Sequence, residues 1–177
     1  MIYIETPRLL LRDWTLKDIE PFARLNSDSH VMKYFLKSLT KEESKEFLRR
    51  IKAEFSEYGY GLYAVERKDN GEFLGFTGFH NITFDVDFAP GVEIGWRIIH
   101  EAWNKGYVTE AAIECLEYAK RNLVLDEIYS FTSALNKASE RVMQKIGMHK
   151  VKEFHHPNVP EGNPLLLHVL YKTDLRK

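Results

Sequence analysis

The sequence predicts a mixed α/β (α+β) fold, a sheet with helices on both faces. Three features predict it. Two helical patterns come early, two strand-like runs flank an Asp-Asn-Gly turn mid-chain, and a strand–helix–strand–helix–strand alternation closes the chain. No repeat, low-complexity stretch or Gly/Ser/Pro linker divides the 177 residues. One domain over 1–177 is therefore expected, at roughly 100–200 residues per domain.

Arg8-Leu-Leu-Leu-Arg-Asp-Trp14 is short, apolar and bounded by Pro7, the pattern of a strand. A helix follows through Ile19, Phe22 and Leu25. Pro21 is tolerated only in a first turn, which selects Asp18 over Thr15 as its N-cap. Thr40-Lys-Glu-Glu43 is a capping box, because Ser/Thr and a Glu three residues on can each satisfy the other's backbone N–H. Phe47, Leu48, Ile51 and Phe55 then recur at helical spacing up to Gly59, which can end the helix. Tyr60 to Glu66 and Phe73 to Ile82 form a hairpin around Asp69-Asn70-Gly71. Val92 to Ile98 reads as another strand. Tyr107 to Asn122 carries Ala111, Ala112, Cys115, Leu116 and Ala119 on one helical face. Ile128 to Thr132 is a short strand, Ala138 to Lys145 a helix stopped at Gly147, and Val151 to Phe154 and Leu165 to Tyr171 are the closing strands.

Hydrophobic residues are 44% and charged residues 29% of the chain, an ordinary globular balance. Lys plus Arg total 25 against 26 for Asp plus Glu, so the basic excess of a nucleic-acid binder is missing. The single cysteine, Cys115, excludes an intrachain disulfide and a multi-cysteine zinc cage. No apolar run approaches the roughly 18 residues of a membrane span, and the opening Met1-Ile-Tyr-Ile-Glu-Thr-Pro lacks a charged-then-apolar leader pattern. A cytoplasmic protein with no membrane partner is expected.

The most unusual segment is Ile98-Ile99-His-Glu-Ala-Trp-Asn-Lys-Gly-Tyr-Val-Thr-Glu110. A strand ends, a loop with Gly106 follows, and an amphipathic helix begins. Such a junction aims unpaired N–H groups and the positive end of a helix dipole at one spot, which suits a phosphate or diphosphate. Lys105 adds charge and Thr109 a hydroxyl. The spacing matches neither G-x-x-x-x-G-K-[ST] nor G-x-G-x-x-G, so a nucleoside triphosphate or a nicotinamide dinucleotide is disfavoured. An ordinary helix start with one glycine is the plain alternative.

Trp103-Asn-Lys-Gly-Tyr-Val-Thr-Glu-Ala111 resembles the coenzyme A loop of the GNAT N-acetyltransferases, especially the RimJ/RimL ribosomal-protein acetyltransferase subgroup, which typically reads W-G-K-G-Y-A-T-E-A here. Thr6-Pro-Arg-Leu-Leu-Leu-Arg12, Gly71-Glu-Phe-Leu-Gly-Phe-Thr-Gly-Phe79, Glu93-Ile-Gly-Trp96 and Asn136-Lys-Ala-Ser-Glu-Arg-Val-Met-Gln-Lys-Ile-Gly-Met148 follow the subgroup in the same order over nearly the whole chain. The resemblance implies a twisted, mostly antiparallel sheet splayed in its middle. It also implies a metal-free N-acetyltransferase that moves acetyl from acetyl-coenzyme A directly to an amine, either a protein N-terminus such as a ribosomal protein's or a small molecule. Monomer and homodimer both stay open.

The resemblance also implies site roles. Ile98, Ile99, Trp103, Asn104, Lys105, Gly106, Tyr107, Val108, Thr109, Asn136 and Ser139 would hold the coenzyme, with a backbone N–H near Ile98 or Ile99 donating to the oxyanion. Asn104 and Val108 replace the subgroup's glycine and small residue, which stiffens the loop but leaves the N–H groups in place. Met143 stands where many GNAT enzymes carry a tyrosine acid, and a thioether cannot donate a proton, so Ser139 is the implied acid and Asn136 the implied pantetheine ligand. Capping and first-turn roles suit Asn136 and Ser139 equally. An amine must lose a proton before it attacks a thioester, and Glu93, opposite in direction to Val92 and Ile94, is the first candidate base; a water chain, or a purely structural Glu93, is the alternative. Trp14, Phe35, Phe79 and Trp96 could line an acceptor pocket or the core. His155 and His156 lack metal-ligand spacing and suit a loop beside the cleft. Cys115 falls on an apolar helix face and reads as a buried, inert thiol. A noncatalytic acyl-coenzyme A sensor, motivated by Met143, and a mononucleotide-binding α/β protein are the competing readings.

Overall fold

A computed structural model describes residues 1–176. Its elements run β1 (Ile2–Glu5), β2 (Leu9–Arg12), α1 (Ile19–Ser27), α2 (Lys41–Tyr58), β3 (Leu62–Arg67), β4 (Phe73–Asn81), β5 (Val92–Ile98), α3 (Tyr107–Asn122), β6 (Glu127–Ser133), α4 (Lys137–Lys145), β7 (His149–His155) and β8 (Leu167–Asp174). The strands form one sheet in the order β1-β2-β3-β4-β5-β6-β8-β7. All neighbours are antiparallel except β5 and β6, which run parallel and meet at the single pair Glu93–Tyr129. Phe22, Leu25, Leu48 and Ile51 of α1 and α2 pack on one face against Leu62, Ala64 and Phe76. Ala111, Ala112, Cys115 and Met143 of α3 and α4 pack on the other with Leu11, Val65, Phe79 and Ile94. The expected mixed fold, splayed between its central strands, is the one observed.

Local signals explain the helix ends. The Glu43 N–H donates to Thr40 Oγ1 at 3.1 Å and the Thr40 N–H to Glu43 Oε2 at 2.8 Å, the reciprocal bonds a capping box provides. Gly59 closes α2 at φ +75°, a left-handed conformation that costs glycine little. At α1 Asp18 stands at the N-cap position as expected, but its side chain makes no capping bond. A 3-10 turn over Leu16–Asp18 precedes the helix, and Asp18 turns back to accept the Thr15 N–H at 2.7 Å and to pair with Arg12 at 2.8 Å. The strand read over Arg8–Trp14 is shorter, and β1, which the sequence reading missed, pairs with it as a hairpin. No helix among the described residues is long and apolar enough to cross a membrane.

Candidate active site

The amide of Ile99 donates to the Leu74 carbonyl at 2.8 Å, so the backbone groups of odd-numbered β5 residues face β4. Those of Ile94, Trp96 and Ile98 therefore point to the opposite edge, toward β6. There the Ile94 carbonyl accepts from Ser130 Oγ at 2.9 Å and the Ile98 carbonyl from Trp103 Nε1 at 3.1 Å. Because β6 leaves β5 after Glu93, the N–H and C=O of Trp96 and the N–H of Ile98 have no strand to pair with. A ligand with its own amide groups can supply what the missing strand does not. The sequence reading considered Ile98 and Ile99 alike as donors to an oxyanion; the Ile99 N–H is engaged, and Ile98 is the one open to the gap.

Beyond β5 the chain turns through Asn104 at φ +59° and Gly106 at φ +80° into α3. Asparagine tolerates the left-handed region better than most side chains, which is why this departure from a glycine is accommodated. Among the described residues, the N–H groups of Asn104, Lys105, Gly106, Tyr107, Val108 and Thr109 have no protein acceptor, and no side chain caps α3. Consecutive free amides at a helix N-terminus form a concave anion site. Arg8 braces it. Its Nη1 donates to the Lys105 carbonyl at 2.9 Å and its Nε to Glu110 Oε2 at 2.6 Å, and its guanidinium lies 4.4 Å from the Tyr107 ring centroid. Glu110 Oε1 in turn accepts from Thr6 Oγ1 at 2.6 Å and the Arg8 N–H at 2.9 Å, strapping the N-terminal segment to the first turn of α3. Arg8 and Glu110 were not singled out from sequence, although both lie in segments that carry the resemblance.

Across the gap, Asn136 caps α4, its Oδ1 accepting the Ser139 N–H at 3.3 Å. Its Nδ2 donates to Thr132 Oγ1 and to Ser139 Oγ, each at 3.1 Å. Both amide hydrogens of Asn136 are thus engaged, and only a second lone pair on Oδ1 is left for a ligand. Ser139 Oγ also accepts from Trp96 Nε1 at 3.3 Å, which leaves the hydroxyl hydrogen free to be donated. Met143 is fully buried in the apolar cluster and packs rather than reacts.

The α1/α2 face of β5 carries Glu93. Burial pushes its carboxyl up to about 8, with nearby His80 opposing and Glu54 reinforcing the rise. His80 is its cross-strand partner on β4. His80 Nδ1 lies 2.7 Å from Glu54 Oε2, and Glu54 Oε1 accepts the Asn81 N–H at 2.7 Å and Asn81 Nδ2 at 2.8 Å. The Glu54 bond raises His80 above the usual imidazole range even though burial opposes it. Burial alone would raise Glu54, but the bonds from His80 and Asn81 hold it below the ordinary carboxylate value. The sequence alone sets Glu54 on a solvated face of the long helix with Glu42, Glu43 and Glu46; it is instead buried against His80, which no local pattern singles out, because α2 and β4 meet only on folding. A cleft of about 830 Å³ opens on the α1/α2 side of the sheet, lined by Arg12, Asp18, Leu25, Val31, Phe73 and Ile99 among others.

Other expectations divide. Phe79 is fully buried and Trp14 is core, donating Nε1 to the Leu62 carbonyl at 2.7 Å. Trp96 holds Ser139, and Phe35 is exposed. His155 ends β7, while His156 packs on Phe84 with centroids 4.4 Å apart, where burial drops its pKa to about 4. Cys115 is fully buried and its thiol is pushed well above its usual pKa by burial, so it is inert as read.

Comparison with known proteins agrees with this geometry. The family model described as Acetyltransferase (GNAT) domain matches residues 8–149. A Bacillus subtilis relative, the uncharacterized N-acetyltransferase YnaD, is 33% identical over 163 residues, 92% of this chain and 91% of that one. A GNAT-family acetyltransferase structure from Bacillus anthracis superposes with a TM-score of 0.80 at 30% identity, covering 99% of each chain. The ribosomal L7/L12 alpha-N-protein acetyltransferase RimL, solved in complex with coenzyme A, has a TM-score of 0.78 at 14% identity over 98% of each chain, a likeness of fold.

Proposed function

This chain belongs to the GNAT acetyltransferase family, and from that premise we propose how its own residues carry out acetyl-coenzyme A-dependent transfer to an amine. The observation that carries the reading is the run of acceptor-free amides from Asn104 to Thr109 beside a β5 edge that lacks a partner strand. The residues fit the coenzyme. The amides and Lys105 would hold its diphosphate, and the open groups of Trp96 and Ile98 would pair with its pantetheine amides. Once bound, the coenzyme supplies an acetyl thioester.

Glu93 takes the proton that the amine must shed. A carboxyl near 8 is closer to an α-amine, which titrates near ~8, than an ordinary carboxylate, so the transfer is nearer to balance. The Ile98 N–H faces the charge that gathers on the acyl oxygen. Ser139 donates its hydroxyl proton to the sulfur as the C–S bond breaks and regains one from solvent, its hydroxyl oriented by Trp96 and Asn136, which act as positioning residues. The sensor alternative rested on Met143 lacking a proton; the free Ser139 hydroxyl removes that ground. Within the family, a RimJ/RimL-like assignment in the cytoplasm draws support from the shared motifs, with the amine of a protein N-terminus or of a small molecule as acceptor.

Thiol release from acetyl-coenzyme A across a panel of amines and peptides with free N-termini tests the proposal. Turnover with at least one acceptor is expected, and none with any of them would contradict it. Ser139→Ala should lower kcat by about 10²-fold with coenzyme A affinity retained, the lower end of acid–base contributions. An unchanged kcat would remove Ser139 from the mechanism.

A further inference from the structure

Strand alternation puts Glu93, Gly95 and Arg97 on one face of β5. Gly95 leaves a bare floor between the two charged residues: a Cβ added there would sit 3.9 Å from Glu93 Oε1 and meet nothing nearer. Arg97 is an anomaly. Among the described residues no carboxylate lies within ion-pair distance of it. Its Nη1 donates to Asn26 Oδ1 at 2.7 Å, and Asn26, fully buried, is itself fixed by donating Nδ2 to Ser44 Oγ at 3.1 Å. Phe35, Phe76 and Phe47 surround the guanidinium, with centroids 4.4, 5.2 and 5.7 Å away. Nε is sealed without a partner, and Nη2 has no partner but is not sealed. Burial lowers the group only to about 10, so it stays charged at neutral pH.

A sheltered cation with no counter-ion is costly, and aromatic faces offset only part of that cost. Two buried polar residues nevertheless hold this one in place with one nitrogen open. The open Nη2, on a group whose charge no carboxylate neutralises, offers N–H donors to an anionic oxygen and suits a carboxylate. We propose that the acceptor carries a carboxylate on the same small molecule as its amine, the carboxylate bound at the open edge of Arg97 and the amine directed across Gly95 to Glu93. The acceptor class is therefore an amino acid or a close relative. This deepens the acetyl-transfer reading and rests on it.

The test compares each of a panel of free amino acids with its neutral carboxamide and its phosphonate analogue, by thiol release and by thermal shift at saturating coenzyme A. At least one amino acid should be acetylated with kcat/KM tenfold or more above its carboxamide, and should raise Tm where the carboxamide does not. Arg97→Gln should bring the ratio close to one and abolish the shift. Arg97→Lys, which keeps charge but loses the open Nη2, should give an intermediate ratio and decides the matter if the glutamine variant no longer binds coenzyme A. Carboxamides or plain amines used as well as the acids, phosphonates preferred over carboxylates, or a preference that survives in both variants would overturn the proposal while leaving acetyl transfer intact. Absence of thiol release with every amine would instead overturn the reading beneath it.

Discussion

Glu93→Gln is expected to lower kcat by about 10²–10⁴-fold, the usual contribution of a general base. The substitution preserves shape and removes only the titrating group. In the native enzyme the carboxyl, held up to about 8 by burial, is mostly protonated at pH 7 and cannot accept a proton. Turnover should therefore rise with pH through about 8 and level off above it, and the variant should keep only the limb set by the amine's own titration near ~8. Stability gives a second readout that needs no turnover. The group binds a proton up to about 8 when folded but only to ~4.3 when unfolded, so between those values the folded state holds more protons. Its contribution is present below ~4.3 and is lost as pH rises through about 8. Glu93→Gln should flatten that part of the pH–stability curve. His80, also raised, acts in the same direction above the ordinary imidazole range, and because the two groups act on each other the difference between the two proteins reports Glu93 together with its effect on His80. Unchanged kcat with an unchanged pH profile would return Glu93 to a structural role.

Gly106→Val is expected to weaken coenzyme A binding by about 100-fold while leaving the fold intact. Gly106 sits at φ +80°, where a β-branched side chain is strained by roughly 1–3 kcal/mol, and its Cβ would stand 3.4 Å from Arg8 Nη2. Relief requires the turn to rotate, which re-aims the amides on either side. Losing even one or two charge-assisted hydrogen bonds, at roughly 1.5–3 kcal/mol each, is enough for the effect, since ~1.4 kcal/mol is tenfold in affinity. The site is exposed, so the core should not notice. Titration calorimetry measures the change, and affinity within twofold of wild type would contradict it.

The parts of this site legible in the sequence are those made by neighbours in the chain. The Thr40 box, the Gly59 stop and the strand–Gly106–helix junction each act within a few residues, and each is where it was expected. What stayed hidden is made by distance. β1 is four residues long and becomes a strand only by pairing with β2, and β8 comes to lie between β6 and β7 through pairings that no local pattern encodes. Arg8 and Glu110 lie 102 residues apart, and Glu54 and His80 lie 26 apart. Nor can a sequence reveal an arginine that lacks a counter-ion: among the described residues Arg97 has no carboxylate within ion-pair distance, though acidic residues lie on either side of it in the chain. Asp18 shows the same limit: it holds the N-cap position read from the sequence, but its side chain is drawn to Arg12 and the Thr15 amide.

Amide chemical shifts of isotopically labelled protein, followed while coenzyme A and then pantetheine are titrated, probe the phosphate cradle residue by residue. The N–H resonances of Asn104 through Thr109 should move strongly with coenzyme A and little with pantetheine, which has no diphosphate, while those of Trp96 and Ile98 respond to both. Binding of coenzyme A that leaves the 104–109 amides unmoved would contradict the account.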